Sequence, residues 1–179
     1  MPRDYLRLTC LPAVINIDSR VLVLGTMPGA QSLQKRQYYG NPGNRFWRVL
    51  YGLWDLPPEA DYTARIEFVK SKGIALWDVV KQCTRAGSSD SNIKDITVND
   101  FGALLEKYPG VRCLAFSSQK ASQLFQKYAL PRLGGEEASA LDFIVLPSPS
   151  GHNARVSFPQ LLAAWQKIRD YLQNKRAAA

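Results

Sequence analysis

The stretch VLVLGTMPGAQSLQKRQYYGNPGNRFWRV, Val21 to Val49, decides how the rest of the chain is read. It opens on an apolar run, Val21 to Leu24, which reads as a buried strand. At Gly25 the run breaks into a loop holding Pro28, Gly29, Gly40, Pro42 and Gly43. Helical spacing then takes over, with Phe46, Trp47, Leu50, Leu53 and Trp54 recurring at three- and four-residue intervals. A strand feeding a long Gly/Pro-rich loop and then a helix is how open α/β sheets present a ligand at strand C-terminal ends. The loop also carries the adjacent Tyr38 and Tyr39, and with Lys35, Arg36, Arg45 and Arg48 it is heavily loaded for a mere connection.

Working outward, the helix over about Asn44–Leu56 stops at Pro57-Pro58. A second helix, about Tyr62–Lys72, has Asp61 as N-cap and ends at Gly73. Ile74–Val80 is the next strand and continues into a polar loop, KQCTRAGSSDSN. A short helix, Asp100–Tyr108, is capped by Asn99 or Thr97 and closed by Pro109-Gly110. Val111–Phe116 is a third strand, followed by a helix over Ser118–Tyr128 with Ser118 as N-cap. LPRLGGEEASA is a turn-rich surface connection. Asp142–Leu146 is the fourth strand and PSPSGHNARVS its exit loop. The last helix starts near Ser157, with an apolar stripe through Leu161, Leu162, Trp165, Ile168 and Leu172. Residues 1–19 are a lead-in without period, and KRAAA at 175–179 reads as a frayed tail. Without repeats or a linker, 1–179 is expected to be a single domain.

Strands separated by helices imply parallel pairing through right-handed crossovers. The expected fold is α/β: a three-layer α/β/α sandwich around a central, mainly parallel four-stranded sheet. All four strand exits then lie on one edge. They carry GTMPG, the Asp78 region, the FSSQ turn and PSPSGHN, which together form one pocket rim.

A net charge of +8 points toward an anionic partner, against the bland reading of a basic soluble protein. Cys10, Cys83 and Cys113 are odd in number and lack metal-ligand spacing, so neither a disulfide framework nor a metal site is indicated. Cys113 falls inside a predicted strand and reads as core. No apolar run approaches the ~20 residues needed to span a bilayer, so no membrane partner is expected. MPRDYLRLTC lacks the apolar region of a signal peptide, which places the chain in a reducing, intracellular compartment.

GTMPG has neither the lysine of a phosphate-binding P-loop nor the dinucleotide fingerprint, which disfavours ATP and NAD. Its glycines and proline suit a rigid turn whose backbone approaches a ligand, or a tight turn with no ligand. In PSPSGHN, two prolines stiffen the loop, Ser148 and Ser150 can donate to phosphate oxygens, and Gly151 permits close approach. His152, the only histidine, is either a wedge for a base stack or an idle surface residue. Arg155 adds a phosphate contact or mere solubility. The Tyr38-Tyr39 pair offers a stacking face, typically worth about 1–3 kcal/mol per base. Adjacent tyrosines in an extended loop point opposite ways, so one at most is a platform and the other packs in the core. Asn44 is a helix N-cap, or an amide that orients water or reads a base edge. Asp78, at the end of the apolar IALWDVV, is a ligand contact or a buried partner for a backbone group or an arginine.

Taken together, these residues resemble the uracil-DNA glycosylase superfamily. GTMPG (Gly25, Thr26, Met27, Pro28, Gly29) matches its first motif and PSPSGHN (with Ser148, Pro149, Ser150, Gly151, His152 and Asn153) its second. YYGNPGNRFWRVLY resembles the segment after the first motif in the mismatch-specific uracil and thymine-DNA glycosylases, and GIALWDVVKQC fits the second strand. The likeness runs from about Val21 to Trp165. Two departures stand out: Met27 occupies the place of a water-activating Asp or Asn, and Ser148 the place of a histidine. That pattern most resembles the hypoxanthine-DNA glycosylase branch, where catalysis is attributed to the asparagine that falls here on Asn44. The resemblance implies stacking of Tyr39 on a flipped base, base reading by Asp78, and a wedge at His152. It implies a monofunctional enzyme of base excision repair that removes a deaminated base, hypoxanthine first. Uracil excision, or DNA binding without catalysis, are the alternatives. It further implies damaged DNA as partner, a monomer, no cofactor, and a place at the nucleoid in the cytoplasm or in the nucleus. The absence of four spaced cysteines argues against the iron–sulfur branches.

Overall fold

The computed structural model describes residues 7–177, with side chains to residue 174. In chain order the elements are β1 (Arg7–Thr9), β2 (Val21–Gly25), α1 (Ala30–Lys35), α2 (Phe46–Gly52), α3 (Tyr62–Ser71), β3 (Ile74–Asp78) and β4 (Val80–Thr84). They continue with β5 (Lys94–Val98), α4 (Phe101–Lys107), β6 (Cys113–Phe116), α5 (Gln119–Leu124), α6 (Gly135–Ser139), β7 (Asp142–Val145) and α7 (Phe158–Ala177).

The apolar run at Val21 becomes the inner strand of a four-stranded sheet ordered β3-β2-β6-β7, in which every neighbouring pair is parallel. Every residue of β2 is buried, as an inner strand covered on both faces requires. Its side chains alternate between two cores. Val21 and Val23 pack with α2 and α7 through Phe46, Leu50, Leu161 and Trp165. Leu22 and Leu24 pack on the other face with Phe101, Ala121, Leu124 and Phe125. The α/β/α sandwich with its parallel four-stranded sheet is therefore present, and the GTMPG, Asp78, FSSQ and PSPSGHN segments all follow strand C-termini.

Helix ends follow their predicted chemistry. The Asp61 carboxylate accepts from Ala64 N–H at the start of α3, and the Ser118 hydroxyl accepts from Ala121 N–H at the start of α5. At α4 the cap is Asp100 rather than Asn99 or Thr97, because the Asp100 side chain accepts from Ala103 N–H. Ser157 and Gln160 form a reciprocal pair before α7, each side chain accepting from the other's backbone N–H.

Four expectations are corrected. The stretch KQCTRAGSSDSN is not simply a loop: β4 runs straight on from β3 and turns back as β5, and both join β1 in a second, antiparallel sheet ordered β1-β4-β5. The lead-in contributes β1 and a bridge between Val14 and Leu76, while its first six residues lie outside the described residues. The loop after β2 contains α1, closed by Arg36 in the left-handed region. The final helix extends into the stretch read as a frayed tail, through Ala177, and residues 178–179 lie outside the described residues. No helix among the described residues is long and apolar enough to cross a membrane.

Candidate active site

The four strand exits enclose one cleft of about 690 Å³, lined by Gly25–Gly29, Tyr39, Asn44, Asp78, Ser117, Ser118, Ser148–Ser150, His152 and Asn153. That volume suits a nucleotide-sized ligand. Parallel pairing of β2 with β3 sets Gly25 beside Asp78. A Cβ at position 25 would stand 2.6 Å from Asp78 Oδ1, so the first glycine of GTMPG is required by the carboxylate beside it. The Asp78 carboxylate is 4% exposed and its Oδ2 has no hydrogen-bond partner among the described residues. Burial, then the charge of Asp90, push it up to about 8, against a partial lowering by Arg85. Its backbone carbonyl is held by Asn99, whose amide donates at 2.7 Å.

Tyr38 and Tyr39 do not point opposite ways as an extended loop would have it: Tyr39 is left-handed, the two rings lie 6.5 Å apart, and both residues line the cleft. The Tyr38 hydroxyl donates to the carbonyls of Leu11 and Pro12 in the core. Tyr39 sits at φ +52°, a left-handed conformation uncommon for an aromatic residue. One face of its ring stacks on Phe46 at 3.5 Å, and its hydroxyl donates to Ser117 Oγ, which donates onward to Leu24 O. Burial and the charge of Asp78 hold this phenol well above its ordinary range, so it stays a donor. Asn44 makes an Asx turn: its Oδ1 accepts from Phe46 N–H at 2.9 Å as α2 begins. The N-cap position is Arg45, which has no side-chain cap, so Asn44 serves the helix start from one residue earlier than expected. The oxygen keeps a second lone pair and the NH2 has no protein partner among the described residues.

The exit loop after β7 is anchored to the NPGN segment. Arg45 N–H donates to Pro149 O, and its guanidinium donates to the carbonyls of Ser150, Asn153 and Val156. Gly151 lies against Gly43, where a Cβ would stand 2.5 Å from Gly43 O. Ser148 Oγ accepts from Ser150 N–H and Ser150 Oγ from His152 N–H, which leaves both hydroxyl protons free to donate outward. His152 is exposed at the loop tip and Pro149 is buried. Gly151 and Arg155 stand outside the cleft lining, and Arg155 is exposed. Met27 is a buried member of the second core, and a thioether there neither polarises water nor accepts a proton.

Several residues here were not singled out from sequence. Arg85, 7% exposed, donates to the carbonyls of Met27 and Pro28 and braces the first motif from beneath. Ser88, Ser89 and Asp90, from the β4–β5 connection, form another wall of the cleft, and Ser88 Oγ accepts from Ala30 N–H. Burial raises the Asp90 carboxyl, and the neighbouring Thr26 hydroxyl, Arg85 and Lys120 pull it part of the way back. Beside the cleft a second groove of about 480 Å³ shares Tyr39, Asn41 and Asn44 with it and carries Lys35, Arg45, Arg48 and Arg65. A run of cations flanking a polar cleft is the footprint of a polyanion.

A family model of the uracil DNA glycosylase superfamily matches residues 12–169. A Methanosarcina acetivorans protein named hypoxanthine DNA glycosylase is 40% identical over 147 residues, covering 82% of this chain and 88% of the relative. A protein of the same name from Methanosarcina barkeri is 38% identical over 113 residues, covering 63% of this chain and 72% of its own. A solution NMR structure of an M. acetivorans protein, described as a candidate uracil DNA glycosylase, superposes with a TM-score of 0.75 at 35% identity. That match covers 94% of this chain and 99% of the other.

Proposed function

Because the chain belongs to the uracil DNA glycosylase superfamily, we propose that it is a monofunctional DNA glycosylase that hydrolyses the N-glycosidic bond of a flipped hypoxanthine. The observation that carries this reading is the buried carboxylate of Asp78 in the cleft, with one oxygen lacking a partner among the described residues. A buried carboxylate left unpaired costs stability and is retained where a ligand supplies the missing donor. Hypoxanthine carries a hydrogen on N1 and adenine does not. An ionised Asp78 therefore accepts from the deaminated base and meets a lone pair on the normal one. Binding such a donor favours ionisation of a carboxyl that burial otherwise holds up near 8.

The rest of the cleft follows from this placement. The uncovered face of Tyr39 stacks on the purine, backed by Phe46. Flipping the nucleotide costs a few kcal/mol, least for a mispaired base. His152 at the exposed tip of PSPSGHN fills the gap in the stack, while Ser148 and Ser150 donate to adjacent phosphates. Lys35, Arg48 and Arg65 track the strand beside the cleft, with Arg155 on the exit loop adding a phosphate contact. Asn44, through the free lone pair of its amide oxygen, positions the attacking water. The protein acts as one domain and as a monomer on damaged DNA inside the cell, at the nucleoid or in the nucleus.

The test is an incubation of the purified protein with duplexes carrying deoxyinosine, deoxyuridine, deoxyxanthosine or a mispaired thymidine, scored for alkali-labile abasic sites. Release from the deoxyinosine duplex is the expected result. Release from deoxyuridine alone overturns the base assignment, and release from none overturns the reading of an enzyme.

A further inference from the structure

Hydrolysing a glycosidic bond demands two things that Asn44 and Met27 do not supply together. Positive charge develops on the sugar as the base departs, and the incoming water must lose a proton. Met27 brings neither charge nor a proton acceptor, and it is buried in apolar contacts. Asn44 is uncharged and spends one lone pair of its amide oxygen on the start of α2. Asp78 is committed at the inner end of the cleft, beside Gly25.

One further carboxylate lines the cleft. Asp90 opens a single 3-10 turn in the β4–β5 connection, capped by the Ser89 hydroxyl. It is only half-buried, where Asp78 is nearly closed off. It shares the cleft lining with Thr26, one residue before Met27, and the Thr26 hydroxyl lies 3.5 Å from Ser118 Oγ. The hairpin that carries Asp90 is joined to the backbone of the first motif by Arg85, which donates to Met27 O and Pro28 O at the very turn where a catalytic acid is missing. Ser88 adds a second tie, by accepting from Ala30 N–H just after the motif.

We propose that Asp90 supplies the catalytic carboxylate that the first motif lacks, taking the proton of the attacking water and offsetting the charge on the deoxyribose. This rests on the glycosylase reading above. In the step, the N9–C1′ electron pair leaves with the purine and the water oxygen forms the new C1′–O bond. The water proton passes to Asp90 and from there to the departed purine, giving neutral hypoxanthine, an abasic sugar and a regenerated carboxylate. The groups that face Asp90 are Thr26 from the loop after β2, Asp78 from β3, Arg85 after β4 and Lys120 from α5. Cys83 on β4 and the Tyr39 phenol also feel its charge. Burial raises its carboxyl above the ordinary carboxylate range, and Arg85 and Lys120 oppose part of that rise.

The test is Asp90→Asn, nearly isosteric, in single-turnover release from a deoxyinosine duplex across pH 5–9. General-base loss is expected to slow release by roughly 10²-fold or more. One of the two rises in rate with pH should vanish, and the other should vanish in Asp78→Asn. Affinity for the duplex and the far-UV circular dichroism spectrum should stay those of the wild type, and Asp90→Glu should recover part of the rate. A structural role alone would slow release without removing a titration. If Asp90→Asn keeps a third of the rate and both rises, the proposal fails while the enzyme reading stands. If Asp90→Asn unfolds, Asp90→Glu decides: it must retain the titration, shifted in midpoint, and a folded Glu variant without it refutes the proposal. A wild type that releases no base removes the enzyme reading and this inference with it.

Discussion

Asp78→Asn should make the protein more stable and less active, by amounts that both grow with pH. The Asp78 carboxyl moves from its ordinary 3.8 to about 8 on folding, chiefly through burial. A raised carboxyl means that the native state holds a proton the unfolded chain has already lost, so stability falls as pH rises between the two values. Each pH unit in that window costs about 1.4 kcal/mol, which accumulates to about 6 kcal/mol once the native carboxyl is fully ionised. At pH 7 the penalty is about 4 kcal/mol. Asparagine has the same shape and no charge, so it removes the penalty. Its NH2 needs a partner where Oδ2 has none, which takes back about 1–3 kcal/mol. The variant should therefore gain about 1–3 kcal/mol at pH 7, gain more at pH 8.5, and lose about 0–2 kcal/mol at pH 4.5, where the native carboxyl is neutral, the unfolded one is mostly ionised, and the penalty has shrunk to about 1 kcal/mol.

Urea denaturation of both proteins at pH 4.5, 7.0 and 8.5 reads this directly. The difference between variant and wild type must rise with pH. A flat or falling difference would mean that the carboxyl is not held neutral by burial, and the physical basis of its base-reading role would go with it. In parallel, hypoxanthine release by Asp78→Asn should drop by roughly 10²-fold, since a paired charge inside a closed site is lost. In the wild type, release should climb with pH toward about 8, as the accepting form of Asp78 becomes populated.

Asn44→Ala should abolish base release with duplex affinity nearly unchanged in a gel shift, and it should cost about 1 kcal/mol of stability through the lost cap. Asn44→Asp keeps the cap, so equal instability in both variants would refute the Asx turn. Gly151→Ala drives a methyl group against Gly43 O and should part the two loops, destabilising by about 1–3 kcal/mol and weakening DNA binding in fluorescence anisotropy. His152→Ala should leave stability within about 0.5 kcal/mol, yet shorten the lifetime of the abasic product complex; an unchanged lifetime would make His152 idle. Duplex affinity should fall linearly in log–log salt titration, and Arg48→Ala should reduce the slope by about 1.

The layout of the sheet was legible because the β2, β6 and α7 segments obey simple periodicities. An all-apolar run signals a strand buried on both faces, and the stripe from Leu161 to Leu172 signals a helix with one buried side. The second sheet was not legible. β4 and β5 pair with register shifts between Val80 and Gln82 and again between Gln82 and Thr84, so the alternation that marks a strand is broken. Its buried members, Val80, Cys83 and Val98, do not share one period, and the serine-rich turn between the strands hides the pairing. The Ala30–Lys35 helix was missed because it is short and begins at a glycine without a side-chain cap.

The same contrast explains what was legible of the cleft. A strand exit is a fixed place, so Gly25, Asp78, Ser117 and Ser148 were predictable as one rim once four parallel strands were expected. Nothing in parallel topology says where a hairpin inserted after β3 will fold, and it folds over the rim, bringing Ser88, Ser89 and Asp90 with it. Arg85 shows why that placement is tight: a buried cation bonded to two carbonyls of the first motif ties hairpin and motif into one unit. A five-residue motif thus fixes a backbone turn, while the charge that works at the turn can arrive from any chain segment packed on it. Met27 is tolerable at the motif on this reading because the carboxylate need not be there, only within reach of Thr26.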